Sequence, residues 1–444
     1  MDFAKRAKDA LLYDIDPIVR SLLDIDFYKL LMQQLIREDF FNTKVTFAVT
    51  NRTKRVKLAR NINIKQLRAQ LDHARTLRFQ PNEIHWLKGN TFYGQDRLFK
   101  PGYIEYLKTF QLPEYSLEVD EETGQYILEF HGTWTEVTLW EIYALTIINE
   151  LLARSRMSKL TATQIDIMYA RAKAKLYAKL EKLATVEDLN LTDFATRRRH
   201  SFLWQEYAML LAKEVLGDRF TGTSNAYLAM KHGLEAKGTN AHELPMTLAA
   251  LAQDDAELKD AQYKVLLKWA AQYRGGLLVF LPDTFGTTQF LENAPQWVSQ
   301  WTGARPDSKK PIPGGDELIK YWKTHGENPQ EKLIIFSDGL DVKIDGYDTH
   351  GEDILEIEAY FRGKVRMGFG WGTNLSNDFY GCVPGEADDY MGSISVVAKI
   401  KDADGRPAVK MSDNYNKATG PASEVDRYRA LFGIEGLDGA PVLV

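Results

Sequence analysis

The chain has a single cysteine, Cys382, in 444 residues. No intrachain disulfide is possible, and no cysteine pair stands at zinc-binding spacing. That usage fits a reducing compartment. Long apolar runs are missing as well. The most apolar stretch, 137–153, carries Glu141, Asn149 and Glu150 and reads as a core or amphipathic helix, not a membrane span. Met1 to Asp9 are followed by no apolar run and do not read as a signal peptide. A cytoplasmic location is the expectation. Basic excess is also lacking. The chain has 56 Lys and Arg against 61 Asp and Glu, a net charge of -5, which argues against a nucleic-acid binder but leaves room for a local basic pocket. There is no internal repeat and no low-complexity linker. What is plentiful is core-forming material. Hydrophobic residues make up 44% and aromatics 11%, enough for a large interior, and the length suits two or three domains.

Hydrophobic period organises the chain into two regions. Residues 22–36 predict a helix opening at Asp24, and Val45 to Val49 a strand. Residues 64–78, 82–88 and 102–110 predict helices, and Tyr115 to Val119 with Gln125 to Phe130 a hairpin. This first region is α+β. From about 140, helices at 138–156, 162–185 and 202–216 lead into short strands that alternate with helices. The strands end at Asp193–Arg197, Phe220–Thr223, Gly238–His242, Leu277–Asp283, Leu333–Asp338 and Val365–Phe369. Such alternation predicts a parallel sheet or barrel, with a site at the C-terminal strand ends. After 392, residues 394–400 and 408–411 flank Asp402 to Arg406 as a hairpin that returns to the first region. The expected division is 1–140 plus about 392–444 as an α+β domain and 141–391 as the α/β domain. The Pro/Gly-rich basic loop 304–315 is long enough to be functional.

Gly238-Thr239-Asn240-Ala241-His242-Glu243 is the most informative segment. It follows a second Gly-Thr pair in Phe220-Thr221-Gly222-Thr223-Ser224-Asn225. Glycine lets backbone approach a phosphate, threonine adds a hydroxyl, and His242 can act as nucleophile or base near neutral pH. The same residues also suit an ordinary turn and helix cap with a structural histidine. Thr196-Arg197-Arg198-Arg199-His200 closes a strand, and an arginine turned into a pocket clamps a carboxylate or phosphate. Phe194 and Arg197 face opposite ways on a regular strand, so a turn at Ala195-Thr196 is required to bring both to one pocket. Asp283 either caps the next helix or orients His242. Asp338 suits ribose hydroxyls or magnesium, and Asp341 a helix cap. Gly368 to Asn374 is a third glycine-rich loop, whose amides at Gly372 and Thr373 suit a terminal phosphate.

Taken in order, these segments resemble the bacterial nicotinate phosphoribosyltransferases, members of the type II phosphoribosyltransferase family. The resemblance starts with Leu22-Leu23-Asp24-Ile25-Asp26-Phe27-Tyr28-Lys29-Leu30. It runs through Asp193 to Arg199, Gly222 to Asn225, Gly238 to Glu243 and Ser337 to Asp341, and ends with Phe369 to Leu375 and Val409-Lys410-Met411-Ser412-Asp413. It implies an irregular TIM-like α/β barrel with an α+β N-terminal domain completed by the C-terminal hairpin. It also implies a homodimer with shared active sites. The implied reaction joins nicotinate to 5-phosphoribosyl 1-pyrophosphate, with magnesium, and couples it to ATP hydrolysis through a phosphohistidine at His242. The aromatic sandwich maps to Phe194 and, from the other subunit, Tyr28. The carboxylate clamp maps to Arg197 with Arg305 nearby, and Asp307 belongs to the same loop. Asp338 would hold the ribose, and Gly372-Thr373 the 5-phosphate.

Two departures stand out. Where many members have Arg-x-Asp-Ser-Gly-Asp, this chain has Arg305-Pro306-Asp307-Ser308-Lys309-Lys310. Thr288 stands where relatives often have an acid. Nicotinamide phosphoribosyltransferases carry an aspartate where this chain has Ser224, and serine does not repel a substrate carboxylate. The competing readings are a nicotinamide enzyme, a non-catalytic scaffold that keeps the fold, or another phosphate-binding barrel enzyme.

Overall fold

Short buried strands alternate with helices from Leu191 onward, and they form one parallel sheet. The structure is a computed structural model that describes residues 2, 5, 16–347 and 349–439. The six strands lie in the order Phe220–Thr223, Leu191–Asp193, Arg366–Trp371, Leu333–Phe336, Gly303–Ala304, Val279–Phe280, and each pairing is parallel. The irregular segment 236–240 spans the two outer strands. Ala236 forms a parallel bridge with Thr223, and the Asn240 side chain donates from Nδ2 to the carbonyl of Val279 at 3.2 Å. A piece of chain without regular strand structure thus continues the ring, which is where the barrel is irregular. The expected α/β fold class holds.

The first region contributes an antiparallel sheet of order Arg406–Pro407, Val396–Ala403, Lys44–Asn51, Gln125–Thr133, Tyr115–Asp120. The strand Val396–Ala403 pairs along nearly the whole of Lys44–Asn51, so a late piece of chain lies inside an early sheet. The helix Trp140–Met157 is buried over most of its length. It touches both the strand Val396–Ala403 and the turn after Leu191–Asp193, and a helix packed on opposite sides must be apolar nearly all round.

Several elements differ from the sequence expectation. The helix predicted to open at Asp24 spans Tyr28–Asp39. Asp24 does not cap it. Both its carboxylate oxygens accept from Arg199, each at 2.7 Å, and Oδ1 accepts from Asn225 at 2.7 Å. A long-range charge pair therefore overrides a local cap. The strand expected over Leu277–Asp283 is only Val279–Phe280, because Pro282 cannot donate to a ladder. Gly238–His242 is not a strand. Asp341 caps no helix. It is a buried strand residue that accepts from Lys179 at 2.5 Å. The late hairpin has only Arg406–Pro407 as its second strand. Beyond it the chain leaves the antiparallel sheet, and the helix Ala422–Phe432 packs with Phe285 and Leu258, Phe432 stacking on Phe285 at 4.7 Å. The segment read as no signal peptide lies outside the described residues except for Asp2 and Lys5. No described helix is long and apolar enough to cross a membrane.

Gly303 shows how closely two neighbouring barrel strands approach. A β-carbon there would come within 2.1 Å of the carbonyl oxygen of Leu333 on the neighbouring strand. Gly303→Ala is expected to destabilise the fold by about 1–3 kcal/mol. Gly102→Ala, where a β-carbon meets nothing within 4 Å, is expected to leave the melting midpoint unchanged or slightly raised. Thermal denaturation of the two variants checks the contrast, and equal midpoints would contradict the close approach.

Candidate functional site

A cleft opens at the C-terminal ends of the barrel strands. The strand Leu191–Asp193 stops early, and Thr196–Arg198 form a tight 3-10 turn. That turn brings Phe194 and Arg197 to one wall, as the sequence required. Phe194 is seated against the next strand by glycine. A β-carbon on Gly370 would lie 3.4 Å from its ring, and one on Gly372 3.3 Å from its carbonyl oxygen. Gly372 and Thr373 follow on the same wall, and Asp338 and Asp307 come from the ends of the two neighbouring strands.

Tyr28 lines this same cleft from its own chain. The resemblance assigns it to the cleft of another subunit, and within a single chain its ring also stands on the wall of its own cleft. Asp26 bridges Asn225, and the Phe27 amide donates to the carbonyl of Ser224 at 2.7 Å. These bonds fasten the start of the helix beside the barrel mouth. Gly238 completes the fit, since a β-carbon there would stand 2.8 Å from the Tyr28 nitrogen. The first Gly-Thr pair has a similar, non-phosphate role. A β-carbon on Gly222 would meet the carbonyl oxygen of Glu235 at 2.2 Å, and Thr223 is buried and donates to Asp193 at 2.7 Å. Ser224 is off the cleft wall and fully buried, and its hydroxyl donates to Asp26 at 2.6 Å. Of the two Gly-Thr loops, only Thr239 to His242 reach the cleft.

His242 is 3% exposed and stands in a ring of polar groups. Its Nδ1 meets the Thr284 hydroxyl at 2.9 Å, and its Nε2 lies 2.9 Å from the Lys410 ammonium and 3.1 Å from Asp307 Oδ2. The tautomer that suits Lys410 has its proton on Nδ1, donating to Thr284, and its Nε2 lone pair facing the ammonium. Burial lowers the ring to about 4, partly opposed by Asp283 and reinforced by Lys410. Asp283 does not line the cleft. It is fully buried, 3.6 Å from Nε2, and accepts from Ser308 at 2.6 Å. Thr284 therefore orients the ring at Nδ1, and Asp283 adds negative charge on the Nε2 side. Burial works to raise Asp307, but Arg305 at 2.8 Å and His242 hold it well below its ordinary range. Arg305 also donates to the carbonyl of Asn240 at 3.0 Å, so its guanidinium is tied to the wall it helps to form.

Sequence reasoning missed most of the positive charge. Seven Lys and Arg side chains and three carboxylates line the cleft, which makes it a site for anions. Ser395, Val397 and Lys399 face it together by the two-residue period of the strand Val396–Ala403 and its approach. Burial lowers Lys399 to about 7, against the pull of Glu141 and with the push of Lys410 and Arg197. Lys417 pairs with Asp338. Lys410 was present in a quoted motif, but nothing local shows that it crosses to His242. Arg197 pairs with Glu141 at 3.2 Å and keeps about a third of its side chain exposed, open to a ligand. The two departures at Lys309 and Thr288 touch each other. The Lys309 ammonium donates to the Thr288 hydroxyl at 3.1 Å, and both meet Glu317, away from the cleft. Lys310 precedes the helix Pro311–Thr324.

His242, Asp283 and Asp307 are close enough to share a metal ion. The Lys410 ammonium already occupies that cluster, 2.9 Å from His242 and 3.5 Å from Asp283, and Arg305 pairs with Asp307. Of the three cleft carboxylates, Glu141 is held by Lys29 and Arg197, and Asp307 and Asp338 remain as oxygen donors that suit a hard cation.

Comparison with known proteins agrees with this geometry. Residues 189–435 match the sequence model of the nicotinate phosphoribosyltransferase family, and residues 23–149 match that of its N-terminal domain. The structure is similar to that of a nicotinate phosphoribosyltransferase from Vibrio cholerae, with TM-score 0.81, 28% identity and 96% of each chain covered. It is also similar to one from Porphyromonas gingivalis, with TM-score 0.79 and 26% identity, covering 94% of this chain and all of that one.

The buried ring of His242 has a pH signature. Its folded pKa, about 4, is below the ordinary value of 6.5. Between those values the unfolded chain binds the extra proton, so this group's contribution weakens the fold as pH falls from 6.5 towards 4. His242 is expected to stay neutral from pH 5 to 8 in an NMR titration of its imidazole. A midpoint near 6.5 would contradict the buried setting.

Proposed function

The chain belongs to the nicotinate phosphoribosyltransferase family and is a phosphoribosyltransferase enzyme, and from that premise we propose that ATP hydrolysis drives its reaction through a phosphate on His242. The reaction joins nicotinate to 5-phosphoribosyl 1-pyrophosphate and releases nicotinate mononucleotide and pyrophosphate, a step in NAD biosynthesis. The observation that carries the reading is the pairing of a buried, neutral His242 with a cationic cleft that also presents Arg197, Phe194 and Tyr28.

Each residue has a part in this reading. Phe194 and Tyr28 hold the pyridine, and Arg197 meets its carboxylate. The pyridine nitrogen attacks the anomeric carbon as the bond to pyrophosphate breaks. Holding the reactants in line and stabilising the departing charge lower the barrier. Lys399, Lys410 and Lys417 are placed to meet phosphate oxygens. Gly372 and Thr373 take the 5-phosphate, and Asp338 the ribose. Magnesium would neutralise phosphate charge, and Asp307 and Asp338 are the cleft carboxylates that would help the substrate phosphates to hold it. For coupling, Nε2 forms a bond to the γ-phosphorus of ATP as ADP leaves, and water later releases phosphate. Asp283 and Thr284 keep the ring in place. We assign residues 1–140 and about 392–444 to the α+β domain and 141–391 to the barrel, with the helix Ala422–Phe432 docked on the barrel side. A cytoplasmic homodimer is the assembly we propose by resemblance. The resemblance implies shared active sites in that dimer, with Tyr28 placed at the mouth of the cleft where two subunits could meet.

Nicotinate is favoured over nicotinamide by the net positive wall and by Arg197. One charge-assisted hydrogen bond contributes about 1.5–3 kcal/mol, or roughly tenfold to 100-fold in binding. Arg197→Ala is therefore expected to raise the nicotinate KM by about that factor. Equal turnover of nicotinate and nicotinamide by the parent enzyme would overturn the preference.

Incubation with labelled ATP is expected to leave an acid-labile, base-stable phosphate on the protein. His242→Asn is expected to lose both label and ATP hydrolysis while keeping slow, ATP-independent transfer. Continued coupling of ATP hydrolysis to synthesis by His242→Asn would make the histidine structural.

A further inference from the structure

Lys29 lines no part of the cleft and its side chain is completely buried. Its ammonium lies 2.6 Å from Glu141 Oε2 and 2.5 Å from Glu243 Oε2. Burial alone would favour the neutral amine, yet the two carboxylates hold the group above its ordinary range. A lysine buried this deeply is costly and contributes little net stability over an apolar replacement of the whole cluster. What such a cluster contributes is register.

The two carboxylates lead to opposite ends of the site. Glu141 is the partner of Arg197, with Oε1 at 3.2 Å from Nη1. Glu243 directly follows His242 and opens the helix Glu243–Leu251. Its other oxygen accepts from the Trp134 indole at 2.5 Å and the Thr138 hydroxyl at 2.6 Å. The Glu243 carboxylate is thus held from three sides, and the backbone that carries His242 is held with it. A continuous line of ion pairs runs from Arg197 through Glu141 and Lys29 to Glu243.

We propose that Lys29 is a positioning residue that sets Arg197 and His242 in one register, through Glu141 on one side and Glu243 on the other. The proposal rests on the roles given above to Arg197 and His242. Pyridine affinity and ATP coupling then depend on one buried ammonium that touches neither reactant. Lys29 stands one residue after Tyr28, so the turn of helix that presents the aromatic ring also carries the anchor.

The test uses the full-length enzyme. Lys29→Met alone leaves two carboxylates facing each other and is expected to lower the melting midpoint. The double variant Lys29→Met with Glu243→Gln removes a neutral pair and is expected to melt close to the parent. Its nicotinate KM is expected to rise by about tenfold, the value of a charged hydrogen bond, with the KM for 5-phosphoribosyl 1-pyrophosphate little changed. The ATP hydrolysed per nucleotide formed is expected to increase. A double variant that melts like the parent with both readouts unchanged overturns the proposal. Glu243→Gln alone, which keeps a hydrogen-bonding group of the same shape, is the second variant. It is expected to move the same readouts in the same direction by a smaller factor, and no movement also counts against Lys29. Absence of label on His242 in the parent enzyme would instead sink the phosphohistidine reading, and the nicotinate KM would then decide the role of Lys29.

Discussion

The buried pair between Arg199 and Asp24 is the joint on which the rest of the site depends. Both carboxylate oxygens of Asp24 accept from the guanidinium at 2.7 Å. Asn225 and Gln205 add neutral bonds to the same pair. Asp24 belongs to the first region, whereas Arg199 and Asn225 belong to the barrel. Breaking such a pair from one side strands a charge in the interior and costs about 3–5 kcal/mol. The pair fixes where the early chain meets the barrel mouth, and four residues later Tyr28 enters the cleft.

Charge in the cleft follows the same logic. The barrel contributes carboxylates and the histidine, whereas late chain contributes Lys399, Lys410 and Lys417. Lys417 lies on Asp338, and Lys410 between His242 and Asp283. Each cleft carboxylate already has a cation beside it, Glu141 with Arg197, Asp307 with Arg305 and Asp338 with Lys417. Anionic substrates can then take over those cations, since phosphate oxygens bind ammonium groups at least as well as carboxylates do. The low pKa of His242 belongs to this arrangement. A neutral imidazole keeps a lone pair on Nε2 for bonding, whereas an imidazolium has none.

Glycine positions show how a motif can be recognised for one reason and used for another. Gly222 and Gly238 invite a phosphate reading, because bare backbone suits close approach to a ligand. In the structure the approaching groups are the carbonyl of Glu235 and the backbone of Tyr28. The steric requirement is the same, and nothing in the local sequence tells which neighbour meets it.

The sequence by itself determined the elements with a strong period and which residues stand at the strand ends that border the cleft. The helix Phe202–Leu216 has the predicted bounds, because its apolar residues recur at helical spacing whatever lies beside them. Phe194, Arg197, Asp338, Gly372 and Thr373 were legible because a parallel barrel puts its strand ends on one face. Only the tertiary structure decided which late lysines enter the site, that Tyr28 reaches the cleft mouth, and that Thr284 rather than Asp283 meets His242 Nδ1. Lys410 lies 168 residues from His242, and Glu243 lies 214 from Lys29. Period and propensity act over a few residues, whereas these contacts are set by how two distant pieces of chain pack around a shared buried charge.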